Sequence, residues 1–181
     1  MTTAAQDAEL LARVVAGDHE AFNQIMRNHE DRVFSVCLRI MGHREQALDA
    51  TQETFLTAFR KAGQFRGGSA LGTWIYRIAV NTCYDQLRKQ KRRRSEPMPE
   101  HMDPSDHAAE VALEAAAMRP EIQRALSLLP PDFRAVIVLS DLEGMALPDV
   151  AEVLGVPIGT VKSRIFRGRR LLAEELRNQN P

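Results

Sequence analysis

The sequence predicts an all-α protein made of two small helical domains that are joined by a flexible, acidic, proline-containing linker. No stretch of useful length alternates between apolar and polar residues as a strand would, whereas apolar residues recur at helical spacing along almost the whole chain. The composition changes abruptly at SEPMPEHMDPSD, which contains three prolines and no large apolar residue beyond methionine. We therefore expect domains at residues 1–94 and 112–181, a linker at residues 95–111, and little mutual packing between the two domains.

The first domain is expected to contain four helices. Gly17 ends the first helix, Asp18 caps the second, and Gly42 ends the second. The segment GQFRGGSALG separates the third helix from the fourth, because its glycines favour tight turns over regular helix. The four helices are predicted at about residues 7–16, 18–42, 44–62 and 73–93.

The second domain is predicted to be a four-helix domain whose last two helices form a helix-turn-helix. Pro130 and Pro131 separate EIQRALSLL from DFRAVIVLSDL, and Gly144 breaks the chain before LPDVAEVLGVPIGTVKSRIFRGRRLLAEEL. In that last segment Ala151 is small where the two helices must cross closely, and Gly155 stands at the turn.

The last helix combines an apolar stripe with an outward cationic face. The stripe is formed by Val161, Ile165, Gly168, Leu172 and Leu176, and the outward face holds Lys162, Ser163, Phe166, Arg167 and Arg170. Thr160 is expected to cap the helix, whose free N–H groups would favour a nearby phosphate. A phenylalanine among cations suits the major groove of DNA, where arginine and lysine reach guanine edges or phosphates and an aromatic ring contacts thymine methyl groups. The alternatives are a groove for a partner protein or an exposed phenylalanine without a role.

The charges are segregated although the formal net charge is zero. Basic residues cluster at 88–94 and 162–170, and acidic residues are spread between them over 96–114. This asymmetry indicates two surfaces that face polyanions and an acidic connector, although each charge run could instead be a solvated helix face.

A second candidate nucleic-acid surface lies in the first domain, next to the glycine-rich turn. It combines aromatic, amide and cationic side chains of the kind that hold unstacked bases, namely Trp74, Tyr76, Arg77, Asn81, Tyr84 and Arg88. Trp74 also lies at the edge of the apolar arc of its helix, where a core tryptophan is the commoner outcome.

The third predicted helix carries a polar patch formed by Asp49, Gln52 and Glu53, which lie three and four residues apart. The apolar residues of the same helix are expected to serve the core, and these are Leu48, Phe55, Leu56 and Phe59. The patch is interpreted as a protein-binding surface or a solvated helix face. An enzyme would need a nucleophile or a third polar group beside the carboxylates, and because the sequence places neither there we predict no catalytic residues.

No metal, cofactor or membrane segment is predicted. The five histidines do not pair with cysteines at zinc spacing, and Cys37 and Cys83 are expected to be buried, reduced thiols rather than a disulfide or metal ligands. The N-terminus has no cationic start followed by an apolar core, and no apolar run is long enough to span a bilayer. We therefore expect a cytoplasmic protein without a small-molecule substrate.

Four motifs in this order resemble those of extracytoplasmic-function sigma factors, the two-domain promoter-recognition subunits of bacterial RNA polymerase. The motifs are ALDATQETFLTAFR, FRGGSALGTWIYRIAVNTCYDQLRK, SLLPPDFRAVIVLSDLEG and VPIGTVKSRIFRGRRLL, and they cover almost the whole chain. The resemblance implies a non-enzymatic protein that binds promoter DNA and binds core polymerase at the clamp helices and flap region of the polymerase. It also implies regulation by an anti-sigma factor, which could hold the protein at the inner membrane.

The resemblance also assigns a partner to each candidate surface. It implies that Asp49, Gln52 and Glu53 contact the clamp helices. The melted −10 element would be recognised by residues of the loop and the fourth helix, namely Phe65, Arg66, Gly67, Ser69, Arg77 and Asn81, with Tyr84 and Arg88 on the same face. The −35 duplex would be read by Lys162, Ser163, Arg164, Phe166 and Arg167, with Thr160 and Arg170 beside them. For Arg164, packing or a phosphate contact is as plausible as a base contact, because it lies close to the apolar side.

The alternative function is that of a conventional helix-turn-helix regulator whose first domain senses a ligand or dimerises. Affinity for core polymerase distinguishes this regulator from a sigma factor.

Overall fold

The computed structural model describes residues 4–95 and 120–179, and within these ranges every regular element is a helix. The predicted linker at residues 95–111 lies outside the described residues apart from Ser95. In the described parts of the chain, no helix is both long and apolar enough to cross a membrane.

Residues 4–95 form the N-terminal unit. Its elements are α1 (Ala4–Val15), α2 (His19–Met41), α3 (Arg44–Arg60), a single 3₁₀ turn (Ala62–Gln64) and α4 (Leu71–Ser95). Asp18 caps α2 as predicted, because its carboxylate accepts hydrogen bonds from the backbone N–H groups of Glu20 and Ala21 at 3.0 and 3.1 Å. Gly42 ends α2 as predicted, in the left-handed conformation with φ 77°.

Residues 120–179 form the C-terminal unit. Its helices are α5 (Pro120–Leu128), α6 (Pro131–Ile137), α7 (Leu147–Leu154) and α8 (Ile158–Asn178), and α6 continues into a π-helical turn at Val138–Leu142. Gly155 takes a φ of 63° at the turn between α7 and α8, so the predicted helix-turn-helix is confirmed. Val150 and Val161 are fully buried between the two helices.

The predicted cap of α8 is wrong. The helix begins at Ile158 with Pro157 at the N-cap position, and the backbone N–H of Thr160 donates to the carbonyl of Pro157 at 2.9 Å. Because the φ of Pro157 is −59° and its backbone is extended, the helix starts at Ile158, whereas a cap at Thr160 would start it at Val161. Thr160 therefore lies within the first turn of α8.

The two units pack against each other, so the expected lack of mutual packing is wrong for the described residues. The C-terminal end of α2 lies against α5 and the π-helical turn, and α4 lies against α7. The buried apolar side chains of both units form one continuous cluster. The composition of a linker determines the stiffness and reach of the chain between two domains. It carries no information on whether the surfaces of those domains are complementary.

Candidate nucleic-acid interface

The outward face of α8 is exposed as the sequence predicts. Val161, Ile165 and Gly168 are buried against the rest of the C-terminal unit, whereas Phe166 on the opposite side is 74% exposed. The other members of the predicted −35 set that are exposed are Lys162, Ser163, Arg167 and Arg170. The helix thus presents a large aromatic ring among hydroxyl and cationic groups.

Two ion pairs and one close contact fix the orientation of α8. Arg169 donates two hydrogen bonds to Asp141 at 2.8 Å, and this contact holds the pKa of the Asp141 carboxyl below its usual range. Arg164 pairs with Asp132 at the start of α6 at 2.7 Å. A Cβ on Gly168 would lie 3.0 Å from Cγ1 of Ile137, so the glycine lets α8 approach α6 closely.

Four of the cations of α8 divide into two groups, and Arg170 pairs with Glu174 of the same helix at 3.8 Å. Arg164 and Arg169 form ion pairs with carboxylates of their own unit. Of the alternatives that the sequence left open for Arg164, the ion pair favours packing within the unit. Lys162 and Arg167 form no ion pair within the described residues and remain on the outward face. These two cations, with Phe166, have the geometry that a groove-reading helix needs.

The predicted −10 loop lies at the surface between the 3₁₀ turn and α4. Phe65 packs edge-to-face on Trp74 with the ring centroids 5.4 Å apart, and both rings are half-buried. Arg66 and Gly67 are exposed, and the φ of 69° at Gly67 is one that glycine adopts without strain. Ser69 is partly buried.

Tyr76 does not belong to this surface, although the sequence placed it there. Its side chain is 6% exposed, and burial raises the pKa of its hydroxyl. The arc of α4 that is buried is wider than one apolar stripe, because α1, α2 and α3 all pack against α4. The ring of Tyr76 instead receives the guanidinium of Arg32, 6.0 Å from its centroid.

Of the remaining predicted −10 residues on α4, some contact the C-terminal unit and others do not. Arg77 donates through Nε to the backbone carbonyl of Glu152 in α7 at 3.3 Å. Tyr84 is half-buried beside Asp132 and Arg164, and burial raises the pKa of its hydroxyl. Asn81 stays exposed and faces α3.

Arg88 pairs with Asp85 and is exposed near the end of α4. From there onward α4 is strongly basic, with Lys89, Lys91, Arg92 and Arg93 exposed. This part of the helix carries the basic block that the sequence predicts as a polyanion-facing surface.

A groove of about 620 Å³ separates α3 from α4. The predicted patch of Asp49, Gln52 and Glu53 forms its α3 side, and Asn81 and Lys89 lie on its α4 side. All three patch residues are exposed. The groove therefore brings a predicted polymerase contact next to a predicted −10 contact.

The expectation that four apolar residues of α3 serve the core is correct for Phe55, which is 3% exposed, and in part for Phe59, whose ring packs edge-to-face on the buried Phe22 with the centroids 5.0 Å apart. Leu48, Leu56 and Phe59 are 40%, 51% and 38% exposed. Leu48 and Leu56 flank Gln52 at a spacing of four residues, and residues four apart share one face of a helix. That spacing was the available signal that the patch is partly apolar, which is typical of protein-docking surfaces.

A second cleft, of about 660 Å³, lies between α4 and the start of α6 and α8. Tyr84 and Arg88 of the predicted −10 set line one wall, and Ser163 and Arg167 of the predicted −35 set line the other. The two sets, which are far apart in sequence, therefore face the same cleft.

Cys37 and Cys83 lie between α2 and α4 as free thiols, and their full burial is as expected. Contact with Cys37 and burial both raise the pKa of the Cys83 thiol. Neither thiol lies at the candidate surfaces.

Known protein families match the two units separately. The Sigma-70 region 2 family matches residues 25–93, and the Sigma-70, region 4 family matches residues 119–172. The ECF RNA polymerase sigma factor SigM of Mycobacterium tuberculosis is 41% identical over 170 residues, which cover 94% of this chain and 84% of SigM. The chain belongs to the extracytoplasmic-function sigma factor family. Two further sigma factors are similar over nearly their full length: the RNA polymerase sigma-H factor of Pseudomonas aeruginosa (36% identical, covering 97% of this chain and 96% of that factor) and SigW of Bacillus subtilis (33%, covering 93% and 95%).

Two solved structures share the fold of this one. CnrH, in complex with the cytosolic domain of CnrY, superposes with a TM-score of 0.71 at 26% identity, over 97% of this chain and 99% of CnrH. The sigma factor RpoE of Bartonella quintana, in complex with the anti-sigma factor NepR, superposes with a TM-score of 0.68 at 28% identity, over 86% of this chain and 96% of RpoE.

Proposed function

We propose that this sigma factor binds core RNA polymerase, directs it to promoters by reading a −35 duplex element and a melted −10 element, and initiates transcription under the control of an anti-sigma factor. The observation that carries the proposal is the outward face of α8, where Phe166 is 74% exposed beside Lys162 and Arg167. A large aromatic ring exposed among cations on the second helix of a helix-turn-helix suits contacts to base edges, thymine methyl groups and phosphates.

The proposed functions fall on the two units separately. Residues 1–94 act as the domain that binds polymerase and recognises the −10 element, and residues 112–181 act as the domain that reads the −35 element. The α3 patch of Asp49, Gln52 and Glu53 contacts the clamp helices, with Leu48 and Leu56 adding apolar area. The glycine-rich loop and the exposed Asn81 receive unstacked bases of the non-template strand.

The subunit performs no chemistry of its own and acts in the cytoplasm. Its partners are core polymerase, promoter DNA and an anti-sigma factor, and the last is supported by the similar sigma factor RpoE, which was solved in complex with the anti-sigma factor NepR. A conventional helix-turn-helix regulator has less support, because the similar sigma factors match both units of the chain.

Transcription in vitro tests the proposal as a whole. The protein is added to core polymerase with a library of genomic promoter fragments, and the start sites are sequenced. Starts that share a −35 and a −10 sequence, and that vanish without the protein, are expected. Absence of any start that depends on the protein would contradict the proposed function.

A pull-down on core polymerase tests the α3 patch. The double variant Gln52→Ala, Glu53→Lys should lose affinity for polymerase while its helical circular dichroism stays unchanged. Glu30→Lys is the matched control, because Glu30 is an exposed acid on α2 away from the groove. Equal affinity of the double variant and the control would remove the clamp-helix assignment.

A further inference from the structure

The C-terminal unit caps the end of a helix that belongs to the N-terminal unit. Because α2 ends at Met41, the carbonyls of Arg39 and Ile40 have no partner within the helix. Arg134 donates to the carbonyl of Ile40, and Gln123 donates to the carbonyl of Arg39 at 3.4 Å. The orphan carbonyls of one unit are thus satisfied by side chains of the other.

Arg134 is a buried cation that belongs to both units. Its side chain is 7% exposed, and it also donates to the carbonyls of Ser127 and Leu129 at 2.6 and 3.0 Å in its own unit. Ile40 is the acceptor across the interface. A guanidinium this buried needs all of its hydrogen-bond acceptors, and part of that set comes from α2.

A second buried charge lies beside it. Glu143 follows the π-helical turn with its side chain 8% exposed, and it pairs with Arg39 of α2. The more exposed Arg32 lies 3.9 Å from the same carboxylate. Removing one partner of a buried pair leaves the other charge uncompensated, so the packed arrangement depends strongly on both partners.

The packed arrangement covers part of the proposed −10 surface and leaves the proposed polymerase surface open. Arg77 is exposed but donates to the carbonyl of Glu152, and Tyr84 is half-buried beside Asp132. The α3 patch stays exposed.

The packed arrangement also prevents both elements from being read at once. Residues of the −10 and −35 sets line one cleft of about 660 Å³. The names of the two elements place them about 25 base pairs apart, which is roughly 85 Å of duplex at ~3.4 Å per base pair. One cleft cannot contact both, so the units must separate before the promoter is bound.

We propose that Arg134, Gln123 and Glu143 form an interdomain latch that grips the end of α2 and holds the free protein closed, with its −10 surface partly withheld and its polymerase surface presented. The inference rests on the proposed function, since it describes the regulation of the same surfaces. The latch lowers the affinity of the free protein for −10 DNA, because only the open fraction can bind it, whereas polymerase can dock on the closed and the open form alike.

Distances between spin labels test the latch without polymerase or DNA. Asn28→Cys on α2 and Ala173→Cys on α8 are labelled with nitroxides, because both positions are exposed while Cys37 and Cys83 are fully buried. Double electron–electron resonance on the full-length protein should give one narrow distance. In Glu143→Gln the ratio of closed to open molecules should fall at least about tenfold, with a broad population at longer distances.

Two further variants make the test specific. Arg39→Gln removes the partner of Glu143 on α2 and should open the protein to the same extent. The test can therefore still be made if circular dichroism shows that one of the two variants does not fold. Asp141→Asn is the matched control, because Asp141 lies two residues from Glu143 and pairs with Arg169 inside its own unit. The control should keep the narrow distance.

The functional readout is binding of the free protein to a single strand that carries the −10 sequence. Glu143→Gln should bind it roughly 3- to 10-fold more tightly than the wild type, because the competent fraction rises, and affinity for core polymerase should stay unchanged. Identical distances in all variants overturn the latch, and opening without a gain in DNA affinity overturns the withholding of the −10 surface. Failure of the proposed function appears separately, as a wild-type protein that starts no transcription with core polymerase, and it leaves the distance result intact.

Discussion

Arg167 and Phe166 stand next to each other on α8 and are both exposed, but they differ in the interactions that they offer to DNA. A guanidinium can bind two acceptors of a guanine at once or a phosphate, whereas a phenyl ring offers only apolar contact. The position of Arg167 on the outward face permits either kind of contact.

Substituting Arg167 tests which contact it makes. If Arg167 reads a base edge, Arg167→Ala should cost about 1–3 kcal/mol of binding free energy at the cognate −35 element and relax the preference at one position. Arg177→Ala, in the last turn of the same helix, is the control and should leave the preference intact. The measurement is binding across a randomised −35 library, and a uniform loss on all sequences would reassign Arg167 to a phosphate contact.

His29 gives the stability a dependence on pH. Burial lowers its pKa, the carboxylate of Asp7 opposes that shift, and the guanidinium of Arg32 adds to it. Below about pH 6.5 the unfolded chain therefore binds a proton at His29 that the native state does not, so the free energy of unfolding falls as the pH is lowered through this window. His29→Gln should flatten that slope in urea titrations between pH 5 and 7.5, whereas an unchanged slope would show that other groups cause it.

At the scale of helices, apolar residues of α3 serve two purposes. Phe55 is buried, whereas Leu56 is 51% exposed on the patch. Leu56→Ser should keep the free energy of unfolding within about 0.5 kcal/mol of the wild type while it weakens polymerase binding. Phe55→Ala is the contrasting variant and should cost about 3–5 kcal/mol of stability. A large loss of stability in Leu56→Ser, measured by urea unfolding, would place Leu56 in the core.

The helices themselves were largely predictable, because their ends are set by local chemistry. Asp18 caps α2 through its own carboxylate, and Gly42 and Gly155 supply the left-handed conformation that ends a helix. The start of α8 was not predicted, since the extended Pro157 competes with Thr160 for the cap position. Tyr76 and Leu56 were misplaced because periodicity along one helix does not reveal which neighbours cover it.

At the scale of the whole molecule, the interface between the units was not predictable from the sequence. It depends on two hydrogen bonds between residues that are distant in sequence: Gln123 to the carbonyl of Arg39, 84 residues away, and Arg134 to the carbonyl of Ile40, 94 residues away. No local pattern encodes such a meeting. The outward face of α8 was predictable, because it needs only the periodicity of one helix.

The interface should make the two units unfold together. Trp74 is the only tryptophan, so its fluorescence reports on the N-terminal unit, whereas circular dichroism reports on helices of both units. In the wild type the urea transitions seen by the two probes should coincide, and in Glu143→Gln they should separate as the units lose their coupling. Separate transitions in the wild type would contradict a coupled interface.

The residues that form the contacts between the units differ in how readily they can be substituted during evolution. Arg134 and Gln123 bind the backbone carbonyls of Ile40 and Arg39, and a backbone carbonyl survives any substitution of the residue that carries it. Substitution of Arg134 or Gln123 therefore removes the hydrogen bond, whereas substitution of the side chain at position 40 does not. The ion pair of Glu143 with Arg39 joins two side chains, so loss of one partner removes the reason to retain the other. Among sigma factors that keep the closed arrangement, positions 39 and 143 should therefore change together, whereas the arginine at position 134 should persist against a changing residue at position 40.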